Sequence, residues 1–231
     1  SVKEIGHAAL KGRDCGNQVG IQHPGGWLTQ YCHLRQGSVA VRNGDHVATG
    51  QMIGMVGLSG FTEYPHLHIQ VMKKNKIVDP FSGISGGEKC SLGDKPLWKE
   101  EVLDKLPYRP TALYNAGFAG AVPRPAEARE GRLAGENLAA TAKALILWAD
   151  IFQVRKGDKL EFSIVTPSGT ELLRHAQIVK HDQARHFIYA GKPLKAPRWS
   201  EGTYRGEIRL VRENGRKGSG TYFIMREITL R

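Results

Sequence analysis

The chain has 231 residues, room for two modest domains or one large β-domain. Hydrophobic residues make up 40% and charged residues 24%, which argues against global disorder, and no apolar run approaches the roughly 20 residues of a membrane span. Lys plus Arg is 33 against Asp plus Glu 22, a net charge of +11 that favours anionic partners. The cations are scattered, with no run beyond Lys73-Lys74-Asn75-Lys76, which argues against a nucleic-acid groove.

Residues 16–72 read as short strands separated by glycine turns. Val19, Ile21 and His23 alternate with Gly20 and Gln22, Pro24-Gly25-Gly26 turns the chain, and Trp27–Leu34 returns it. Residues 38–41, 46–48 and 51–56 continue as small strands around the turn Asn43-Gly44-Asp45, which predicts a compact antiparallel sheet or β-roll. Gly83, Gly86, Gly87, Gly93, Pro96 and Pro107 then break any period, and 86–107 is expected to be a linker. From about residue 108 a second pattern starts. Helix and strand compete over the Ala-rich 139–144 and the apolar 144–148. Residues 160–165, 176–179, 187–190, 204–211 and 222–228 read as strands, with turns at Gly157-Asp158, Pro167-Ser168-Gly169 and Asn214-Gly215. The chain is thus expected to be mainly β: a first domain over 1–85, and an immunoglobulin-like β-sandwich over 108–231.

Three cysteines are too few for a disulfide scaffold, and none has Cys-x-x-Cys spacing. Cys15 and Cys32 flank one predicted hairpin, so their pairing is the hypothesis, with two buried free thiols as the alternative. A disulfide there implies an oxidising compartment. Cys90 is left over.

Six of the nine histidines fall in the first 68 residues. The informative group is Pro65-His66-Leu67-His68-Ile69-Gln70-Val71. On a strand, His66, His68 and Gln70 share one face and Leu67, Ile69 and Val71 the other. Two imidazoles side by side can hold one metal ion, or one can bind it while the other handles protons. For an isolated His-x-His, a solvated polar face is the ordinary reading. Here Tyr31-Cys32-His33 ends a neighbouring predicted strand and offers a third imidazole, and Gly50, Gly54, Gly57 and Gly60 permit close backbone approach.

The segments Thr29-Gln30-Tyr31-Cys32-His33-Leu34, Val41-x-x-Gly44-x-x-Val47-x-x-Gly50-Gln51-x-Ile53-Gly54-x-Val56-Gly57-x-Ser59-Gly60 and Pro65-His66-Leu67-His68 together resemble peptidase family M23. These are the LytM or lysostaphin-type zinc endopeptidases of bacterial cell walls, and the resemblance covers roughly residues 16–81. It implies an antiparallel sheet or β-roll peptidase fold in the first domain. It also implies that His68 binds Zn2+, that His33 and His66 are catalytic, and that the substrate is peptidoglycan, cut in its stem peptides or cross-links. The implied location is periplasmic or secreted. Zinc lowers the pKa of bound water and polarises the scissile carbonyl, one neutral imidazole can accept the water proton, and a second can stabilise the oxyanion. Which of His33 and His66 does which stays open.

The family completes its zinc site with an upstream His-x-x-x-Asp motif, which this sequence lacks; His7 and Asp14 have the wrong spacing. Two explanations compete. One is a chain that starts downstream of the motif, which the opening Ser1 and the retained His33, His66 and His68 favour. The other is a non-catalytic LytM-like domain that binds cell wall or activates a separate amidase. The second domain could position substrate, occlude the cleft or dock a protein partner. His175, His181 and His186 are expected in surface or packing roles, Trp98, Trp148 and Trp199 in cores or a domain interface, and Asp79-Pro80-Phe81 in a structural one.

Overall fold

The computed structural model of the chain describes residues 10–62, 64–86, 92–213 and 218–231. The expectations for His7, Cys90 and the turn Asn214-Gly215 lie outside the described residues. The chain divides into two compact units, residues 1–108 and 109–231.

In the first unit the predicted hairpin forms as β1 (Asn17–His23) and β2 (Trp27–Leu34), joined by a 3₁₀ turn at Pro24–Gly26. Gly25 adopts a φ of 75°, a left-handed conformation that glycine reaches without steric cost. Next in the sheet come β3 (His68–Lys73) and β4 (Lys76–Val78), closed by a two-residue turn with positive φ at Lys74 and Asn75. The sheet is antiparallel in the order β1-β2-β3-β4. Val19, Val71 and Val78 are buried on one face, as the period of two requires.

Residues 38–56 depart from expectation. They form no strand of their own, only sparse ties such as Arg35 N–H to Met55 O (2.8 Å), Ala40 N–H to Ile53 O (3.1 Å) and the isolated bridge Leu34↔Val56. The physical reason is burial. Met52, Met55 and Val56 are exposed, so the alternation there has no core to face. The described part of 86–107, expected to be a linker, is built into the first unit. Gly93 and Leu97 donate to Phe81 O and Pro80 O (3.0 and 2.8 Å), and a short helix α1 (Glu100–Leu103) follows. Counting glycines and prolines misses the cause: the Phe81 ring packs against Trp98 (5.9 Å) and Tyr108 (5.5 Å).

The second unit comprises β5 (Ala112–Ala119), α2 (Pro125–Arg129), β6 (Asn137–Leu138), β7 (Ala144–Val154), β8 (Lys159–Val165), β9 (Glu171–Ile178), β10 (Gln183–Pro193), β11 (Gly202–Arg212) and β12 (Gly220–Leu230). Its two sheets run β10-β7-β5 and β6-β12-β11-β8-β9. They share one core, in which Leu145, Leu147 and Ile151 of β7 meet residues such as Phe162, Ile208 and Ile228. The competition over 144–148 resolves as strand. Leu145, Leu147, Ala149 and Ile151 of β7 face that core, while Trp148 is buried on the other side with Ala119 and Ala128. A strand covered on both faces reads as a continuous apolar run, which is why periodicity could not distinguish it from a helix. Asp158 and Arg212, both with fully buried side chains, form a bidentate ion pair (2.9 and 2.7 Å).

Candidate functional site

Strict alternation along β2 would direct His33 away from His68. Cys32, not His33, is the register partner of His68. Between the pairs Asn17↔Leu34 and Val19↔Tyr31, however, β1 supplies one residue and β2 supplies two, Cys32 and His33. This bulge is accommodated by a φ of 62° at His33, a left-handed conformation uncommon outside glycine. The twist brings the His33 ring centroid to 5.8 Å from that of His68 and 4.7 Å from that of His66. All three expected imidazoles therefore meet. His68 and Gln70 lie on β3, while His66 precedes it and is bridged to Gly57.

The surroundings hold this arrangement. The His33 backbone N–H donates to Cys15 O (2.8 Å), and its Nδ1–H donates to Ser59 O (2.8 Å). Ser59 is itself fixed by donating to Leu34 O (2.7 Å) and accepting from Asn17 N–H (2.9 Å). A ring that donates through Nδ1 keeps its lone pair on Nε2. Burial lowers the His33 pKa from its ordinary value; the Ser59 hydrogen bond opposes this, and the neighbouring His66 and His68 add to it. His66 has the same tautomer: its Nδ1–H lies 3.0 Å from Tyr64 O and 3.2 Å from Thr62 Oγ1. The Thr62 hydroxyl donates to Tyr64 O (2.8 Å), and the Tyr64 ring sits 4.8 Å from His66. His68 is exposed. The sequence pattern does not single out Thr62 and Tyr64; a hydroxyl four residues before a histidine is the available signal. Gly57 sits between the two histidine segments, where an added Cβ would overlap the Arg35 backbone.

Cys15 and Cys32 form a disulfide, with Cys32 one of the two bulge residues. Both line a cleft of about 1200 Å³ that also includes Arg13, Gln30, His33 and His68. The bond spans a sequence separation of 17, so Cys15→Ser with Cys32→Ser is expected to lower stability by about 3 kcal/mol. Urea unfolding of the oxidised chain and the double variant measures this.

Zinc can be tested against the donors present. Two rings offer Nε2 lone pairs and His68 is accessible, but a zinc site ordinarily takes three protein ligands held in tetrahedral geometry. Among the described residues, no group of three or more His, Cys, Asp or Glu side chains is arranged to hold a metal ion. The described donors therefore do not by themselves make a zinc site.

Residues 3–80 match the sequence model of peptidase family M23. Over 65 residues the chain is 37% identical to an uncharacterized metalloprotease of Buchnera aphidicola, covering 28% of this chain and 17% of that protein. Over 64 residues it is 38% identical to the peptidoglycan DD-endopeptidase ShyA of Vibrio cholerae, covering 28% and 14%. Over 58 residues it is 45% identical to lysostaphin of Staphylococcus simulans, covering 25% and 11%. The chain thus spans less than a fifth of the length of each of these relatives. Among solved structures, the CARDB domain of a Pyrococcus furiosus protein with di-metal ions aligns at a TM-score of 0.26 and 12% identity, covering 41% of this chain and 84% of that one.

Proposed function

We propose that the first unit, whose residues 3–80 match the sequence model of peptidase family M23, is a peptidoglycan endopeptidase domain acting on amide bonds of stem peptides or cross-links. The observation that carries this reading is the pair His33 and His66, each donating Nδ1–H to a carbonyl and so keeping Nε2 as the basic nitrogen. Amide hydrolysis can use such a pair. Water attacks the carbonyl carbon, a neutral imidazole takes the water proton at Nε2, and that proton is passed to the leaving amine as the C–N bond breaks. The other imidazole is within reach to donate a hydrogen bond to the oxyanion when it carries a proton. Burial lowers the His33 pKa, which favours the neutral imidazole, the form able to accept a proton.

His68 is our proposed ligand for Zn2+, which when bound would polarise the carbonyl. The described residues do not complete that ion's coordination, so the chemistry assigned to this chain is limited to proton transfer. We place the domain outside the cytoplasm. The Cys15–Cys32 disulfide supports an oxidising compartment, and no described helix is long and apolar enough to cross a membrane.

The incomplete donor set among the described residues favours one second reading: a domain that binds the wall without cutting it, or that activates a separate amidase. Incubating the chain with purified sacculi and added zinc separates the two. New amino termini, released by the parent chain and not by His68→Ala, are expected. Sedimentation with sacculi but no release would overturn the hydrolytic reading in favour of the second.

A further inference from the structure

Two accessible sheet faces in this chain are built differently. The outer face of the five-stranded sheet carries charge pairs, Arg205 with Glu227, Arg209 with Glu207, Arg174 with Glu171 and Lys159 with Glu161, alongside the exposed Phe223 and Met225. That is how a solvated face is ordinarily populated. The open face of the four-stranded sheet is different. Gln18 and Gln22 of β1, Gln30 of β2, and His68, Gln70 and Met72 of β3 share it, and no position of these three strands on that face is Lys, Arg, Asp or Glu. Burial does not explain the lack of charge, because Gln18, Gln22 and His68 are exposed. Nor does composition, in a chain that is 24% charged.

The glutamines are also ordered. Gln30 is directly opposite Gln70, and Gln30 Nε2 donates to Gln18 Oε1. Gln70 Nε2 donates to Met72 Sδ (3.3 Å), a weak acceptor that leaves its Oε1 and second N–H for a stronger partner. All three line the cleft together with His33 and His68. Gln70 is two residues beyond His68, about 6.6 Å along the strand, which is the spacing of two residues in an extended peptide.

We propose that Gln18, Gln30 and Gln70 form a neutral amide floor that reads the main chain of an extended peptide, about two residues from the bond presented to the imidazoles. The inference rests on the peptidase reading and adds to it the residues that hold the peptide main chain in register. A carboxamide both donates and accepts, so it can pair with a peptide C=O or N–H. A lysine or glutamate would offer one of these and would be desolvated at a cost when the peptide settled on it.

The test uses the 231-residue chain and a disaccharide–tetrapeptide muropeptide, with NMR signals of the glutamine side-chain amides and histidine rings as readout. Binding is expected to move the Gln30 and Gln70 amide signals together with the ring signals. Gln30→Met and Gln70→Met keep side-chain length and should each weaken binding about 2- to 10-fold, as expected for one lost hydrogen bond, with the rest of the spectrum unchanged. If the ring signals move while the glutamine amides stay still, or if both variants bind as the parent does, the amide floor is overturned and the peptidase reading stands. If neither set of signals moves, both fall.

Discussion

Replacing His33 with asparagine is expected to leave the first unit folded and to slow wall hydrolysis by about 10²- to 10⁴-fold, the usual contribution of a positioned proton acceptor. Asparagine is the informative substitution because of the backbone. His33 has a φ of 62°, which asparagine tolerates better than alanine or any branched residue. The variant keeps the bulge and its backbone hydrogen bond to Cys15 O while removing the ring that lies near those of His66 and His68. His33→Ala would mix loss of the proton acceptor with backbone strain. Release of new amino termini from sacculi measures the first effect, and the thermal midpoint measures the second. A His33→Asn chain that keeps more than about a tenth of the parent rate would remove His33 from the chemistry.

Arg212→Met is expected to destabilise the second unit by about 3–5 kcal/mol, a large share of the 5–15 kcal/mol typical of a domain. The ion pair has no solvent to fall back on, since the side chains of Arg212 and Asp158 are both fully buried. The Asp158 carboxylate raises the Arg212 pKa above its usual value, through their hydrogen bonds first and their charges second, so the guanidinium stays charged at any working pH. Removing it leaves a buried carboxylate that keeps its hydrogen bond from Arg155 N–H (2.8 Å) and loses its counter-charge. Gln153 O also loses the donor that Arg212 Nη2 supplies at 2.9 Å. Arg212→Met with Asp158→Leu should cost less than the sum of the two single changes, because the second change removes the orphaned charge. Urea unfolding followed through the buried Trp148 and Trp199 reads these effects. An Arg212→Met loss below about 1 kcal/mol would show that water reaches the pair.

Elements whose pattern is local are legible from the residues alone. The hairpin 17–34 follows from alternating apolar residues around Pro24-Gly25-Gly26, and the strands containing 160–165 and 204–211 follow from the same period of two. His68 and Gln70 share a face because they are two apart on a strand. Tertiary structure decided whatever depends on neighbours from elsewhere in the chain. Residues 38–56 have strand-like alternation without a core to bury it, whereas 144–148 are a strand because layers cover both faces. Phe81, Trp98 and Tyr108 gather a stretch whose glycines and prolines suggested a loose connection. The orientation of His33 is the sharpest case. Alternation turns its ring away from His68, and one extra residue in β2, held in a left-handed conformation and tied to Cys15 and Ser59, turns it back. A bulge is set by how two strands and a distant loop fit together, so it leaves no period in the sequence to read.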